Sequence, residues 1–269
     1  MTLLKKSKQK RKCQGTLRLV TSYQCPFSCE ACYAPHNKTI TPPKLIRAVI
    51  RNAREENFET VAIGGGEPLY TLSHTLQTIK VATRTDLPVA VTTSGYGLTP
   101  QSLKQLEKAG LSHLQLSLGD SRTNLTGAYE LMTTSEHNCT FGINLLLSPQ
   151  IIQLLPKFIN LFDQDKIDQT TLLLPKGNHV PRLSKNEFMR YYSVLRNVNT
   201  KHTAILIDCA TQQALNGRCN SDGCSFFPDG TTSKCAFGCS PRKPWNGSLT
   251  KAMSDASQEC QEGKIILTR

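Results

Sequence analysis

The sequence predicts an α/β fold, a parallel sheet built from successive βα units and followed by a small cysteine-rich C-terminal extension. Two observations carry this. Apolar runs of strand length alternate with helical patterns from residue 16 to about residue 200, the signature of repeated βα units around a parallel sheet. Six of the eleven cysteines then fall between Cys209 and Cys260, where the alternation stops. The expected division is a basic, disordered tail at 1–14, a barrel domain at 15–200 and a Cys-rich region at 201–269.

Strands are expected near 16–21, 59–63, 88–93, 113–118, 140–147 and 168–174. Helix starts are marked by Thr41 before Pro42, Thr99 before Pro100 and Pro149 before Ile151. Each has proline in the first turn, where its missing N–H is harmless. A helix over 184–198 opens with Ser184 and Glu187, a capping-box pair. A seventh apolar run, Ala204 to Ile207, leads into the Cys-rich region. There Asp229-Gly230 predicts a tight turn between two short strands.

Composition narrows the function classes. A chain of 269 residues, 38% hydrophobic, suits one barrel domain with an appendage and a full core. No apolar stretch is long enough to span a bilayer, and the lysine-rich start has no hydrophobic region after it, so a cytoplasmic protein is expected. Eleven cysteines there argue for metal ligation or reactive thiols over disulfides. Net charge is +12, half of it from Lys5, Lys6, Lys8, Lys10, Arg11 and Lys12. That run reads as a solvated tail or as attraction to an anionic partner. With 6% aromatic residues and one tryptophan, a single-stranded nucleic-acid groove is not supported.

The chemistry concentrates in two loops. Cys25-Pro26-Phe27-Ser28-Cys29-Glu30-Ala31-Cys32 places three thiols at C-x3-C-x2-C spacing after the first strand, and Gly65-Gly66-Glu67-Pro68 follows the second. Three thiolates on one short loop can hold three irons of a four-iron cluster and leave the fourth open. A zinc knuckle completed by His36 is the alternative, but it leaves the glycine segment unexplained. No Rossmann fingerprint and no Ser, His and Asp triad is present. His74, His113 and His137 read as surface or core residues, and Cys139 as a small buried hydrophobe at the barrel bottom.

Together the two motifs resemble the radical S-adenosylmethionine (SAM) enzymes. The resemblance implies a partial (β/α)6 TIM-like barrel with its chemistry at the carboxyl ends of the strands. It implies a [4Fe-4S] cluster on Cys25, Cys29 and Cys32 whose open iron binds SAM, which is cleaved reductively to a radical that takes a substrate hydrogen atom. Gly65, Gly66, Glu67 and Pro68 then form the loop that accepts the methionine amino group, and Thr93 and Ser94 end the strand that meets the ribose. Ser117 and Asp120 on the fourth strand and Asn144 on the fifth are further SAM contacts, with Lys176 and Gly177 as candidates after the sixth. Where the family often has an aromatic residue before the third cysteine, this chain has Ala31, so Tyr33 is the candidate wall for adenine.

The C-terminal series, with Cys219 and Cys235 spaced as C-x10-G-x4-C, resembles the SPASM and twitch extensions that hold an auxiliary iron-sulfur cluster. Cys219 and Cys235 are the first ligands expected, completed by Cys239 and Cys224, then by Cys260 or Cys209. A zinc ribbon is the other reading of this tail. A second cluster makes the resemblance point to an oxidative maturase of a ribosomally made peptide, reduced by a flavodoxin or ferredoxin. The roughly fifteen residues before the first strand leave no room for an appended leader-binding domain. A small-molecule oxidoreductase or epimerase acting on an aminocyclitol or amino sugar is the alternative, as is, from another class, a zinc-binding nucleic-acid module. In an epimerase, Cys209 or Cys260 is the candidate hydrogen donor.

Overall fold

A computed structural model describes residues 15–29, 32, 34–35, 37–118, 125–174, 183–216, 223–235 and 242–254. Seven strands pair in parallel in chain order: β1 (Thr16–Ser22), β2 (Thr60–Gly65), β3 (Val89–Thr93), β4 (His113–Leu118), β5 (Thr140–Leu146), β6 (Gln169–Leu173) and β7 (Ala204–Ile207). Three short strands extend the β1 edge of the same sheet. β8 (Cys224–Phe226) pairs parallel with β1, and β9 (Thr231–Ser233) and β10 (Lys243–Pro244) follow antiparallel. The ten-stranded sheet runs from β10 to β7 without closing, an open barrel of the expected kind. The seventh apolar run therefore belongs to the sheet, and the sheet continues past residue 200.

Alternation along the strands assigns the two faces. Leu17 and Leu19, Val61 and Ile63, Val89 and Val91, Leu114 and Leu116, and Phe141 and Ile143 share one core with residues of the surrounding helices. Their neighbours Arg18, Ala62, Ala90, Gln115 and Asn144 lie on the opposite, inner face, which is largely polar or small. Burying the first set excludes water from the helix side, and the inner face is left for ligand chemistry.

The helices start much as their caps predict. Thr99 and Ser102 form a capping box at α3 (Pro100–Ala109), Ser148 accepts from Ile151 N at the start of α5 (Pro149–Gln164), and Ser184 and Glu187 box α6 (Lys185–Asn197). Thr41 differs. Its hydroxyl donates to Val20 O at 2.9 Å and its N–H to Thr21 O at 2.8 Å, tying the long cysteine loop back to β1. The first helix, α1 (Pro43–Glu55), begins after Pro42 with no side-chain cap. The Asp229-Gly230 turn forms as expected, with Gly230 at φ 78° and Asp229 Oδ1 accepting from Thr231 N and Oγ1.

Candidate active site

The carboxyl ends of β1, β2 and β3 bring the two loops together. The cysteine loop leaves β1 through Tyr23 and Gln24, and two main-chain bonds dock it on the next loop: Gly66 N donates to Ser22 O at 2.8 Å and Glu67 N to Gln24 O at 2.9 Å. These contacts decide the glycines. A Cβ at Gly65 would stand 2.2 Å from Ser22 O, and one at Gly66 2.1 Å from Gln24 O, while one at Gly64 meets nothing within 4 Å. Two glycines are thus demanded by the approach of the cysteine loop itself, while a side chain at Gly64 would meet open space.

Glu67 is 3% exposed and its carboxylate is filled by the protein. Oε1 accepts from Thr93 Oγ1 at 2.7 Å and Leu69 N at 2.9 Å. Oε2 accepts from Ser94 N at 2.8 Å and Ser94 Oγ at 2.7 Å. Burial pushes the Glu67 carboxyl up from its ordinary range, and these hydrogen bonds act the other way. With about four lone-pair sites satisfied, the carboxylate has little acceptor capacity left for a further donor. Thr93 and Ser94 accordingly spend their hydroxyl protons on Glu67, locking the end of β3 to the loop after β2.

Cys25, Cys29 and Cys32 are all half-buried, and Cys32 N donates to Cys29 O at 3.1 Å. Burial pushes the Cys25 thiol up, the Phe27 main chain opposes this, and the negative charges of Glu67 and Cys32 add to the rise. The three thiols share one loop, but among the described residues no group of three or more His, Cys, Asp or Glu side chains is drawn together as a metal-ligating set. Beside Cys25 lies a cleft of about 480 Å³ bounded by Tyr23, Phe27, Lys38 and Tyr70. Phe27, Tyr96 and Tyr70 pack edge to face in sequence, with ring centroids 5.6 and 5.9 Å apart. Nothing in strand or helix periodicity marked this aromatic rim, because all three rings sit on loops.

On the inner face, Ser117 and Asn144 pair across β4 and β5. Asn144 Nδ2 reaches Ser117 Oγ at 3.5 Å while Asn144 Oδ1 accepts from Gln115 Nε2 at 2.9 Å. Gln115 Oε1 accepts in turn from Gln169 Nε2 at 2.9 Å and lies 2.6 Å from His113 Nε2. Gln115 and Gln169 escaped the sequence reading, since a glutamine in a strand carries no motif. Asp120, Tyr33, His36, Lys176 and Gly177 lie outside the described residues.

The C-terminal cysteines divide. Cys209 opens α7 (Cys209–Asn216) at the carboxyl end of β7, on the same side of the sheet as the two loops. Cys224 pairs in register with Leu17, is fully buried in the helix-packed core, and burial pushes its thiol up to about 12. Cys235 is buried just past β9, and its N–H donates to Ser233 Oγ. Cys219, Cys239 and Cys260 lie outside the described residues. Cys139 is 3% exposed below β5, as expected of a small core residue.

The open parallel α/β barrel thus brings a cysteine loop and a glycine loop together at the carboxyl ends of adjacent strands. Residues 19–124 match the model of the Radical SAM superfamily. The match spans less than half of the chain, and similar folds were solved with SAM bound. The fold is similar to SuiB of Streptococcus suis bound to SAM, with TM-score 0.67 and 15% identity over 94% of this chain and 68% of that one. It is also similar to anSMEcpe bound to S-adenosylmethionine, with TM-score 0.64 and 14% identity over 95% of this chain and 84% of that one. SuiB is also known bound to its precursor peptide SuiA, and anSMEcpe to the peptide Kp18Cys. Among the described residues, no helix is long and apolar enough to cross a membrane.

Proposed function

We propose that the chain oxidatively modifies a ribosomally made peptide, with a [4Fe-4S] cluster on Cys25, Cys29 and Cys32 and SAM bound against the Gly64–Pro68 loop. The observation that carries the reading is the docking of the cysteine loop on the glycine loop through Gly66 N and Glu67 N. When bound, the cluster and SAM supply an electron and a 5'-deoxyadenosyl radical that takes a hydrogen atom from the substrate. The protein's own part is placement. The open space beside Gly64 receives the methionine end, Ser117 and Asn144 offer polar contacts on the inner face, and the Phe27, Tyr96 and Tyr70 rings border the site. A flavodoxin or ferredoxin is the reductant in this reading.

The peptide substrate is supported by the two similar folds that bind peptides. The oxidation rests on a second cluster, which we assign to Cys219, Cys235 and Cys239. The fourth position goes to Cys260 or Cys209, because Cys224 lies in the apolar core. The test is iron, sulfide and EPR on anaerobically reconstituted protein carrying Cys25→Ala, Cys29→Ala and Cys32→Ala. About four irons and a cluster signal are expected to survive. Loss of all iron would remove the second cluster and leave a redox-neutral reaction such as epimerisation.

A further inference from the structure

We infer that Arg242 is a positioning residue for the cysteine loop, reaching it from the C-terminal hairpin 219 residues away in sequence. Its guanidinium donates to Tyr23 Oη at 2.9 Å, lies 3.7 Å over the Phe227 ring and stands 3.8 Å from Asp229 Oδ2. Tyr23 is where the loop leaves β1, and its N–H donates to Thr39 O at 2.9 Å on the loop's return path. Phe227, fully buried, forms a small separate cluster with Val20, Tyr23 and Ala34, and Cys32 packs against that cluster. Arg242 thus touches the start of the loop through Tyr23 and, through Phe227, the small cluster against which its last cysteine packs.

The arrangement is specific to this pairing of elements. Phe227 and Asp229 belong to the β8–β9 hairpin, which pairs with β1 only over three residues. A guanidinium that stacks on one ring and hydrogen-bonds another fixes both rings at once, which a lysine or an apolar side chain does not do. The hairpin's position is therefore passed to the loop that bears Cys25, Cys29 and Cys32. The functional meaning of this brace rests on the reading that these cysteines hold the cluster. Loop order itself does not rest on it.

The test is site-resolved alkylation of the iron-free full-length chain, read by mass spectrometry, for the wild type, Arg242→Met, Tyr23→Phe and the double variant. Arg242→Met is expected to raise the Cys32 rate by about tenfold and Tyr23→Phe by a few-fold, with the double variant no faster than Arg242→Met. Buried Cys139, remote from the hairpin, should keep its rate. In the reconstituted chain, the EPR signal of the first cluster should broaden in Arg242→Met. Unchanged Cys32 rates in both single variants, additive effects, or equal rises at Cys32 and Cys139 would each overturn the inference. A failure to cleave SAM with the labelling pattern intact would instead count against the proposed function alone.

Discussion

Ser94 gives both its main-chain N–H and its hydroxyl to Glu67 Oε2, at 2.8 and 2.7 Å, and so pins the end of β3 to the loop after β2. Replacing Glu67 with Gln puts an amide NH2 either against these two donors or against Thr93 Oγ1 and Leu69 N. The expected loss is on the order of 2–4 kcal/mol, measured by denaturant unfolding, because buried donors are left facing a donor. A loss within error would mean that the four hydrogen bonds do not hold the site together.

The three glycines separate by what they approach. Gly65→Ala and Gly66→Ala should each lower stability by more than about 2 kcal/mol, since the added carbon meets main-chain oxygen that cannot move without shifting the cysteine loop. Gly64→Ala should change stability by less than about 1 kcal/mol and instead weaken SAM binding in equilibrium dialysis of the reconstituted enzyme. Equal effects at all three positions would contradict this division.

Cys224→Ala should cost on the order of 1 kcal/mol in stability, because a small buried side chain is lost from the core, and should leave the iron content unchanged. Iron analysis of the single variant decides it. A drop of about four irons would restore Cys224 to the ligand set of the second cluster.

Far from the site, the Asp163 carboxylate accepts from the N–H groups of Thr203, His202 and Lys201, which hold it down at about 2. A carboxyl depressed in the folded state stabilises above its ordinary value of 3.8, and this contribution is lost as pH falls toward 2. Asp163→Ala should therefore lie furthest below wild type above pH 4, with the gap closing between about pH 4 and pH 2. Urea midpoints of the iron-free chain across that range measure it. A gap that stays constant with pH would show that the carboxylate charge plays no part.

The strands of the barrel were legible because each turns an apolar face to the helices. Leu17, Leu19, Val61, Ile63, Val89 and Val91 alternate with small or polar residues at period two, and six expected strands fall within two residues of their observed ends. The cysteine and glycine loops were legible because ligand chemistry and backbone approach each demand particular residue types. Other relationships were hidden. Glu67 read as a ligand contact, while its carboxylate is held internally by Thr93 and Ser94, 26 and 27 residues on. Cys224 read as one thiol among six, and only its register with Leu17 turns it toward the core. Arg242 carried no local signal, since its hydrogen-bond partner Tyr23 comes from the other end of the chain.

The central claim is that Cys25, Cys29 and Cys32 hold a cluster that activates SAM. The most direct test is 5'-deoxyadenosine formation by the anaerobically reconstituted, dithionite-reduced chain with SAM, compared with the variant in which all three cysteines are alanine. The wild type should form 5'-deoxyadenosine and the triple variant none, even where it retains the second cluster. A fully iron-loaded wild type that leaves SAM intact, or a triple variant as active as wild type, would contradict it.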